Sequence, residues 1–233
     1  MGSLSYARRR GELETYFDRT AAAAWSRLTS DAPVSGIRAT VRAGRDAMRA
    51  TLLDWLPADM RGLRLLDAGC GTGALAVAAA QRGAAVVAID LSGTLVDIAR
   101  ARMPADLGAG SISFHVGDML DAALGEFDHA VGMDSLIHYA APDMAEAVGR
   151  LAARARRSVL FTFAPRTAML SVMHAAGRLF PRGDRAPAIE PVTPGRIAAL
   201  LAAAPAMAGW QPGRTHRVAT GFYTSQALEL VRP

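Results

Sequence analysis

A glycine-rich turn between an apolar run and a helical segment constrains the fold of this chain more than any other feature. Residues Leu65–Gly73 read LLDAGCGTG, and the alanine-rich residues from Ala74 onward favour a helix. Glycines permit positive φ angles and lack the β-carbon that would keep a ligand away from the backbone. The first N–H groups of the helix have no partner within it and point toward the turn. The pattern therefore predicts a strand, a turn and a helix that together bind a nucleoside-like cofactor.

Two classes of cofactor fit this turn. A dinucleotide would use Gly69, Gly71 and Ala74 in the relaxed G-x-G-x-x-G/A pattern, with its pyrophosphate at the helix N-terminus. S-adenosylmethionine instead carries positive amino and sulfonium groups and no phosphate, so a carboxylate can face it. The second cofactor explains why Asp67 ends the apolar run.

The rest of the chain alternates short apolar runs with helical segments, which is typical of a parallel sheet covered on both faces. We predict an α/β fold: a doubly wound, mostly parallel Rossmann-like sheet with N-terminal helices and a cap insertion. The predicted strands are 63–66, 86–89, 112–116, 130–132 and 159–163, and the predicted helices are 74–82, 95–102, 144–156 and 193–204, with strands in the last twenty-five residues. An earlier helix ends at Pro57 and presents on one face Ile37, Val41, Met48, Leu52 and Trp55.

The length of 233 residues suits one domain, and 51% of them are apolar. Within that domain we expect an N-terminal helical lid region (1–60), a cofactor-binding core (61–163), a cap insertion (164–191) and a C-terminal helix with strands (192–233). No apolar stretch reaches the ~20 residues of a membrane span. No apolar run follows Arg8-Arg9-Arg10, which argues against a signal peptide. We therefore expect a cytoplasmic protein.

Composition excludes several kinds of chemistry. All 26 basic residues are arginine, so the chain has no P-loop lysine, no Schiff-base lysine and no Tyr/Lys pair of a short-chain dehydrogenase. Cys70 is the only cysteine, which excludes a disulfide within the chain and a cysteine-cluster metal site. The net charge of +5 favours an anionic substrate, an acidic partner or a membrane surface. Nucleic acid is disfavoured because the arginines are scattered, and Arg154–Arg157 is interpreted as the solvated end of a helix.

Carboxylates follow three successive predicted strands. Asp67 ends the first, Asp90 follows the second, and Asp118 follows the third just before Met119. Ligands of an open α/β sheet bind at the carboxyl ends of its strands. Asp90 can therefore accept both ribose hydroxyls, and Asp118 can accept from the adenine amino group while Met119 packs on the ring. After the fourth strand, residues 133–139 place polar groups where a methyl would be transferred.

These motifs resemble class I S-adenosylmethionine-dependent methyltransferases over about residues 60–165. Four further segments extend the resemblance to nearly the whole chain: Tyr16–Thr20 with Trp25, Leu136–Tyr139, Phe163–Thr167 and Phe222–Ser225. Together they are similar to the magnesium-protoporphyrin IX O-methyltransferases of chlorophyll and bacteriochlorophyll synthesis. One departure is Thr29, which stands where family members can carry a tyrosine that helps to close the site.

The resemblance implies roles for individual residues. S-adenosylmethionine would be bound by Arg42, Asp67, Gly69, Cys70, Gly71, Asp90, Leu91, Asp118, Met119 and Met133. The acceptor would contact Tyr16, Trp25, Tyr139, Arg166 and Phe180. Arg166 would pair with a propionate, and His138 would orient the reacting propionate or remove its residual proton. No metal ligand is expected.

The resemblance also implies a reaction and partners. Magnesium-protoporphyrin IX, handed over by the porphyrin-carrying subunit of magnesium chelatase, would be methylated on a propionate, and the apolar stripe of the cap would suit a membrane surface. Two alternatives stay open: O-methylation of another apolar biosynthetic intermediate, such as a quinone precursor, and a cofactor-binding module without catalysis. A phenol would need a base because its pKa is about 10, whereas an ionised carboxylate would not.

Overall fold

The computed structural model describes residues 3–20, 29, 36–166 and 188–233, and these residues form a mixed sheet with helices. The strands are β1 (Arg64–Ala68), β2 (Ala85–Asp90), β3 (Ser111–Val116), β4 (Phe127–Gly132), β5 (Ala155–Phe163), β6 (Gln211–Thr220) and β7 (Tyr223–Val231). They lie in the order β3-β2-β1-β4-β5-β7-β6. Strands β1 to β5 are parallel, whereas β7 and β6 add an antiparallel edge. The predicted fold class is therefore confirmed.

Helices cover both faces of the sheet. They are α1 (Leu4–Thr15), α2 (Gly36–Trp55), α3 (Ala74–Gln81), α4 (Gly93–Ala101), α5 (Ala141–Ala152) and α6 (Pro194–Ala203). Apolar residues of α2 and α3 pack with one set of strand residues, and those of α1, α5 and α6 pack with the other. Successive strand residues point to opposite faces, so Leu65 joins the first cluster and Leu66 the second. Both are almost completely buried, as expected of a parallel strand covered on two sides.

The order of the strands determines where a ligand can bind. From β1 the chain continues to β2 on one side, while β4 lies on the other side of β1. In open α/β sheets the crevice at such a switch point, at the carboxyl ends of the strands, binds ligands. Asp67 lies within β1 and Asp90 ends β2. Two of the three predicted cofactor carboxylates are thus brought to that crevice.

The prediction of a helix end at Arg154–Arg157 is wrong, because β5 begins at Ala155. The guanidinium of Arg154 lies over the ring of Phe127 in β4, 5.4 Å from its centroid. Acidic residues at the start of β4 pair with the two following arginines, Arg156 with Glu126 at 2.9 Å and Arg157 with Asp128 at 3.5 Å. These acidic partners stabilise the charged first residues of β5. The composition of this segment resembles that of a charged helix end, which explains why the prediction was wrong.

The predicted apolar face of the helix before β1 is mostly confirmed. Met48 and Leu52 are fully buried, and Val41 and Trp55 pack against the core while partly exposed. Ile37 is 57% exposed, so its assignment to that face is wrong. The turn between β6 and β7 contacts α2 at Thr40, one turn after Ile37.

Most of the predicted cap insertion (164–191), together with Trp25 and Phe180, lies outside the described residues. At its borders, Pro165 and Val192 form an isolated parallel bridge. None of the helices in the described part of the chain combines the length and the apolar character that crossing a membrane requires.

Candidate active site

A cavity of about 270 Å³ lies at the carboxyl ends of β1, β2 and β4. It is lined by most of the residues predicted to bind the cofactor: Arg42, Asp67, Gly69, Cys70, Gly71, Asp90, Leu91, Met119 and Met133. His138 and Tyr139 line it too, whereas Asp118, Tyr16 and Arg166 lie outside its lining. All the predicted cofactor residues except Asp118 thus share one cavity with the predicted catalytic histidine.

The glycine turn after β1 requires its glycines. Gly69, Gly71 and Gly73 have φ angles of 86°, 53° and 81°, left-handed values that glycine adopts without steric cost. The N–H of Gly69 donates to the Ile89 carbonyl oxygen at 2.8 Å, which fastens the turn to the end of β2. A β-carbon at Gly69 would collide with Ser135, whereas one at Gly71 would meet open space. The backbone of the turn is therefore open to a ligand at Gly71.

Asp67 presents a buried carboxyl group to the cavity. The residue is 2% exposed, and its Oδ2 atom has no hydrogen-bond partner among the described residues. Burial, reinforced by the charge of Asp90, raises the pKa of Asp67 to about 7, although a hydrogen bond from the Ala76 backbone lowers it. Burial and the same two carboxylates also raise the pKa of the Cys70 thiol, which is neutral at pH 7. A buried carboxylate without a counter-charge is costly, so a cationic ligand group would stabilise the site.

The Asp90 carboxylate lies on the other side of the turn. Its Oδ2 accepts from the Gly71 N–H at 2.8 Å, and its Oδ1 accepts from the Ser92 N–H at 3.0 Å. Burial raises the pKa of Asp90, and these hydrogen bonds oppose that rise. A carboxylate oxygen can accept more than one hydrogen bond, so vicinal hydroxyls of a ligand in the cavity could bond to it as well.

Asp118 fastens the N-terminal helix to the sheet. Its Oδ1 accepts from the Tyr6 hydroxyl at 2.8 Å and from the Leu120 N–H at 2.9 Å, and its Oδ2 pairs with Arg10 at 2.9 Å. Both oxygens therefore have protein partners. The predicted contact of Asp118 with an adenine amino group stays a prediction, whereas the neighbouring Met119 is buried and lines the cavity.

Helix α2 gives the cavity a positively charged wall. Arg42, Arg45 and Arg49 line the cavity together with Asp46, and their spacings of three and four residues place the arginines on one face of the helix. Arg49 pairs with Asp46 at 2.9 Å, and Arg45 pairs with Asp134 at 2.7 Å. Arg42, predicted to bind the carboxylate of the cofactor, is thus one of three arginines that face the cavity.

His138 lies in the loop after β4, at the end of a short helical turn. It is 8% exposed, its Nδ1 lies 3.4 Å from the Ala188 carbonyl oxygen, and its ring centroid is 5.8 Å from that of Phe17. Because a carbonyl oxygen only accepts, we assign a hydrogen to Nδ1, which makes Nε2 the acceptor of the neutral ring. Arg9 donates to the His138 carbonyl oxygen at 2.8 Å. Both the ring and the backbone of the histidine are therefore held in position.

Comparison with known proteins identifies the family. A methyltransferase domain model matches residues 65–158, and a model of the magnesium-protoporphyrin IX methyltransferase C-terminus matches residues 132–232. The magnesium-protoporphyrin O-methyltransferase of Rhodobacter capsulatus is 49% identical over 225 residues, which cover 96% of this chain and 97% of that protein. The chain belongs to the magnesium-protoporphyrin O-methyltransferase family. The family predicted from the sequence motifs is thereby confirmed.

A solved structure and a further sequence comparison support the same family assignment. A crystal structure of the magnesium protoporphyrin IX methyltransferase from Synechocystis with bound SAH has a TM-score of 0.83 and 30% identity, covering 96% of this chain and 99% of that one. The ubiquinone biosynthesis O-methyltransferase of Xanthomonas oryzae is 34% identical, but over only 59% of this chain and 61% of that protein. Of the two relatives compared by sequence, only the magnesium-protoporphyrin O-methyltransferase of Rhodobacter capsulatus matches over nearly the full length.

Of the predicted acceptor residues that the structure describes, Tyr139 lines the cavity, whereas Tyr16 and Arg166 lie outside its lining. Tyr139 is 1% exposed and stacks on Tyr6 with ring centroids 4.8 Å apart, so it packs α1 against the loop after β4. Tyr16 meets the ring of Phe17 edge-on at 5.2 Å, and only Phe17 belongs to the cavity lining. Arg166 is exposed and donates its backbone N–H to Val192. The roles of these residues stay predictions, as do those of Trp25 and Phe180.

Several polar residues of the methyltransferase cavity received no individual role from the sequence, and Arg45 and Ser135 are two of them. Arg45 stands three residues after Arg42, and that helical spacing could have indicated it. Ser135 has a buried Oγ atom without a hydrogen-bond partner among the described residues, next to Gly69. Ser135 belongs to the segment 133–139 that was predicted to place polar groups at the methyl, but its contact with Gly69 depends on how the loops after β1 and β4 meet.

Proposed function

We propose that this protein transfers the methyl group of S-adenosylmethionine to a propionate carboxylate of magnesium-protoporphyrin IX, giving the monomethyl ester. The observation that carries the proposal is the buried Oδ2 atom of Asp67, which has no hydrogen-bond partner in the described part of the chain and lies beside a glycine turn that is open to a ligand. Such a site favours a cationic, nucleoside-like methyl donor. The porphyrin acceptor is supported by the names of the relatives that match over the full length.

The residues of the cavity fit S-adenosylmethionine group by group. The Asp67 carboxylate would pair with the amino group, Asp90 would accept from the ribose hydroxyls, and Met119 would pack on the adenine ring. Arg42 would bind the carboxylate of the methionine part. When bound, S-adenosylmethionine supplies an electrophilic methyl carbon on a positively charged sulfur. The dinucleotide alternative fits less well, because the two buried carboxylates would repel a pyrophosphate.

The acceptor carboxylate needs alignment more than activation. A propionic acid has a pKa close to that of glutamate, about 4.3, so the acceptor is an anionic nucleophile at neutral pH. Correct positioning of reacting atoms can contribute up to about 7–11 kcal/mol. His138 would take up the proton of the small protonated fraction at Nε2, and the N–H formed there would then donate to the carboxylate and orient it. Leu13 and Phe17, which line the cavity from the N-terminal segment, would help to exclude water.

The test incubates the purified protein with methyl-labelled S-adenosylmethionine and magnesium-protoporphyrin IX and then extracts the porphyrin. We expect one base-labile labelled methyl ester per porphyrin. A parallel reaction with a phenolic quinone precursor provides the comparison, because that acceptor needs a base and the porphyrin does not. Label in the quinone precursor and none in the porphyrin would show that the proposed acceptor is wrong.

We also propose that the protein is cytoplasmic and receives its porphyrin directly from another protein. A flat, apolar metalloporphyrin is poorly soluble, so direct transfer from the porphyrin-carrying subunit of magnesium chelatase would avoid free diffusion. The net charge of +5 favours peripheral contact with an anionic membrane surface. Pull-down with the chelatase subunit tests the first point, and co-sedimentation with anionic vesicles at low and high salt tests the second.

A further inference from the structure

The loop after β4 begins with a strained residue. Asp134 has a φ of 54° and is the one non-glycine residue with a positive φ in the described part of the chain. Such a conformation persists where surrounding contacts enforce it, and it is frequent at functional sites. Here the Thr162 hydroxyl accepts from the Asp134 N–H at 2.8 Å and donates to the Asp134 carboxylate at 3.2 Å. The start of the loop is thus fixed to β5.

Three further side chains, from α2 and β7, surround the Asp134 carboxylate. Arg45 donates to it at 2.7 Å, the Tyr223 hydroxyl lies 3.1 Å from both oxygens, and the Ser225 hydroxyl donates at 3.2 Å. With Thr162, these donors neutralise and saturate a side chain that is 5% exposed. Asp134 is therefore unsuited to remove a proton from an acceptor. Its contacts instead suit it to hold the side chains of Arg45, Tyr223 and Ser225 in position.

Gly44 allows α2 to reach this cluster. A β-carbon at Gly44 would lie 2.7 Å from the Cβ atom of Tyr223, so the helix backbone packs directly on β7. Arg45 is the next residue of the helix. The close contact at Gly44 fixes the helix backbone beside Arg45, and the ion pair with Asp134 fixes the end of the Arg45 side chain. Together they set the position of the Arg45 guanidinium.

Arg45 also faces the cavity. It lines the cavity beside Met133, Ser135 and His138 of the loop after β4, and its side chain is 22% exposed. The Asp134 cluster thus fixes the guanidinium without removing it from the cavity. A guanidinium is suited to carboxylates because its planar set of N–H donors matches their geometry. An anionic acceptor that approaches His138 would meet this group.

We propose that Arg45 binds a carboxylate of the acceptor and that Asp134 and Tyr223 are positioning residues that hold Arg45 in place. The inference rests on the proposed function, since it requires an acceptor with free carboxylates. It assigns to Arg45 the part that the sequence motifs assigned to Arg166, which is exposed and outside the cavity lining.

The test compares two ligands of the full chain in the presence of S-adenosylhomocysteine. Magnesium-protoporphyrin IX has free propionates and its dimethyl ester has none, and porphyrin fluorescence measures the binding of each. Wild type should prefer the free acid, and Arg45→Gln should reduce that preference by about tenfold or more, because a charge-assisted hydrogen bond is lost. The affinity of Arg45→Gln for S-adenosylhomocysteine should stay close to that of wild type. Arg38→Gln is the matched control, because Arg38 is an exposed arginine of the same helix outside the cavity lining.

Tyr223→Phe is the second variant, because it keeps the ring that packs on Gly44 and removes one donor to Asp134. It should reduce the preference for the free acid by a smaller factor and raise KM for the porphyrin more than it lowers kcat. A purely structural role would weaken both porphyrins equally. If Arg45→Gln does not fold, this variant alone decides.

Two results would overturn the assignment of Arg45. One is an undiminished preference for the free acid in Arg45→Gln, or in Tyr223→Phe where that variant decides. The other is a larger loss of affinity for S-adenosylhomocysteine than for the porphyrin, which would place Arg45 at the methyl donor. Failure of the proposed function has a different signature, since wild type would then form no ester while its binding preference could still be measured.

Discussion

Burial and the nearby charge of Asp90 together raise the pKa of Asp67 to about 7 in the ligand-free protein. The two residues lie at the carboxyl ends of adjacent parallel strands. The Oδ2 atom of Asp67 has no hydrogen-bond partner among the described residues, and the Asp90 carboxylate accepts from backbone N–H groups of Gly71 and Ser92. The cavity is thus negative on this side before a ligand binds, which selects a cationic methyl donor and disfavours a phosphate.

The affinity for S-adenosylmethionine should increase with pH through about pH 7. Below that pH Asp67 is protonated and neutral, so binding of a cation first requires loss of the proton. We expect Kd to increase by up to about tenfold per pH unit as the pH falls below about 7, and to level off at about pH 8. Calorimetric titrations across this range, in buffers of different ionisation enthalpy, measure both Kd and the proton released. Asp67→Asn should bind weakly at every pH. A flat profile for wild type would contradict the electrostatic role of Asp67.

Asp67 should also destabilise the ligand-free fold at high pH. Its folded-state pKa of about 7 lies above the ordinary value of 3.8, so the folded protein holds the proton more tightly than the unfolded chain. The stability that this provides is complete below about pH 4 and is lost as the pH rises through about 7. Asp67→Asn should therefore raise the free energy of unfolding at pH 8, on the order of 1–3 kcal/mol, and leave it nearly unchanged at pH 4. Chemical denaturation at both pH values measures this difference, and equal effects at the two would refute it.

The places in the fold of the residues proposed to bind the methyl donor were predictable, because most of their determinants are local. Strand, turn and helix are encoded within a few residues around Gly69, and the parallel topology brings Asp90 to the same edge of the sheet as Asp67. Alternating apolar runs specify that topology, since each must be buried on both faces. The positions of these residues along the chain are therefore enough to predict that they lie close together in the fold.

The other half of the site depends on contacts that no local pattern contains. Asp134 receives its donors from α2, β5 and β7, and one of them, Arg45, is brought to it by the close packing of the α2 backbone at Gly44 on the Tyr223 ring. The partners of Asp118 could not be predicted for the same reason. This carboxylate follows β3, but it binds Tyr6 and Arg10 of the first helix. A sequence pattern predicts that a polar side chain lies at the carboxyl ends of the strands, where ligands bind. It does not predict which other side chain of the protein bonds to it there.

Replacement of His138 should lower turnover much more than affinity for the methyl donor. The acceptor is already ionised, so the loss should reflect orientation and reach about 10–100-fold in kcat for His138→Ala, at the low end for acid–base residues. His138→Asn should be intermediate, because an amide can still donate to the Ala188 carbonyl oxygen. Steady-state kinetics with the porphyrin and calorimetry with S-adenosylhomocysteine separate the two effects. His115→Ala is the matched control, since His115 is exposed on the edge strand β3. Unchanged turnover in His138→Ala would exclude a catalytic role.

Asp118 has two candidate roles, adenine binding and docking of α1, and paired variants separate them. Its bonds to Tyr6 and Arg10 lead us to expect that Asp118→Ala increases amide hydrogen exchange across α1, because each lost bond to a charged group is worth about 1.5–3 kcal/mol. Tyr6→Phe removes only the hydroxyl and should increase the exchange of α1 in the same direction.

If docking is the main role, the two variants should change the affinity for S-adenosylhomocysteine by similar, small factors. A large loss of that affinity in Asp118→Ala alone, with normal exchange in α1, would instead establish the contact with adenine that the position of Asp118 after β3 predicts. Exchange mass spectrometry and calorimetry on the same protein samples therefore distinguish the two roles, because docking acts on α1 with or without a ligand and an adenine contact acts only through the ligand.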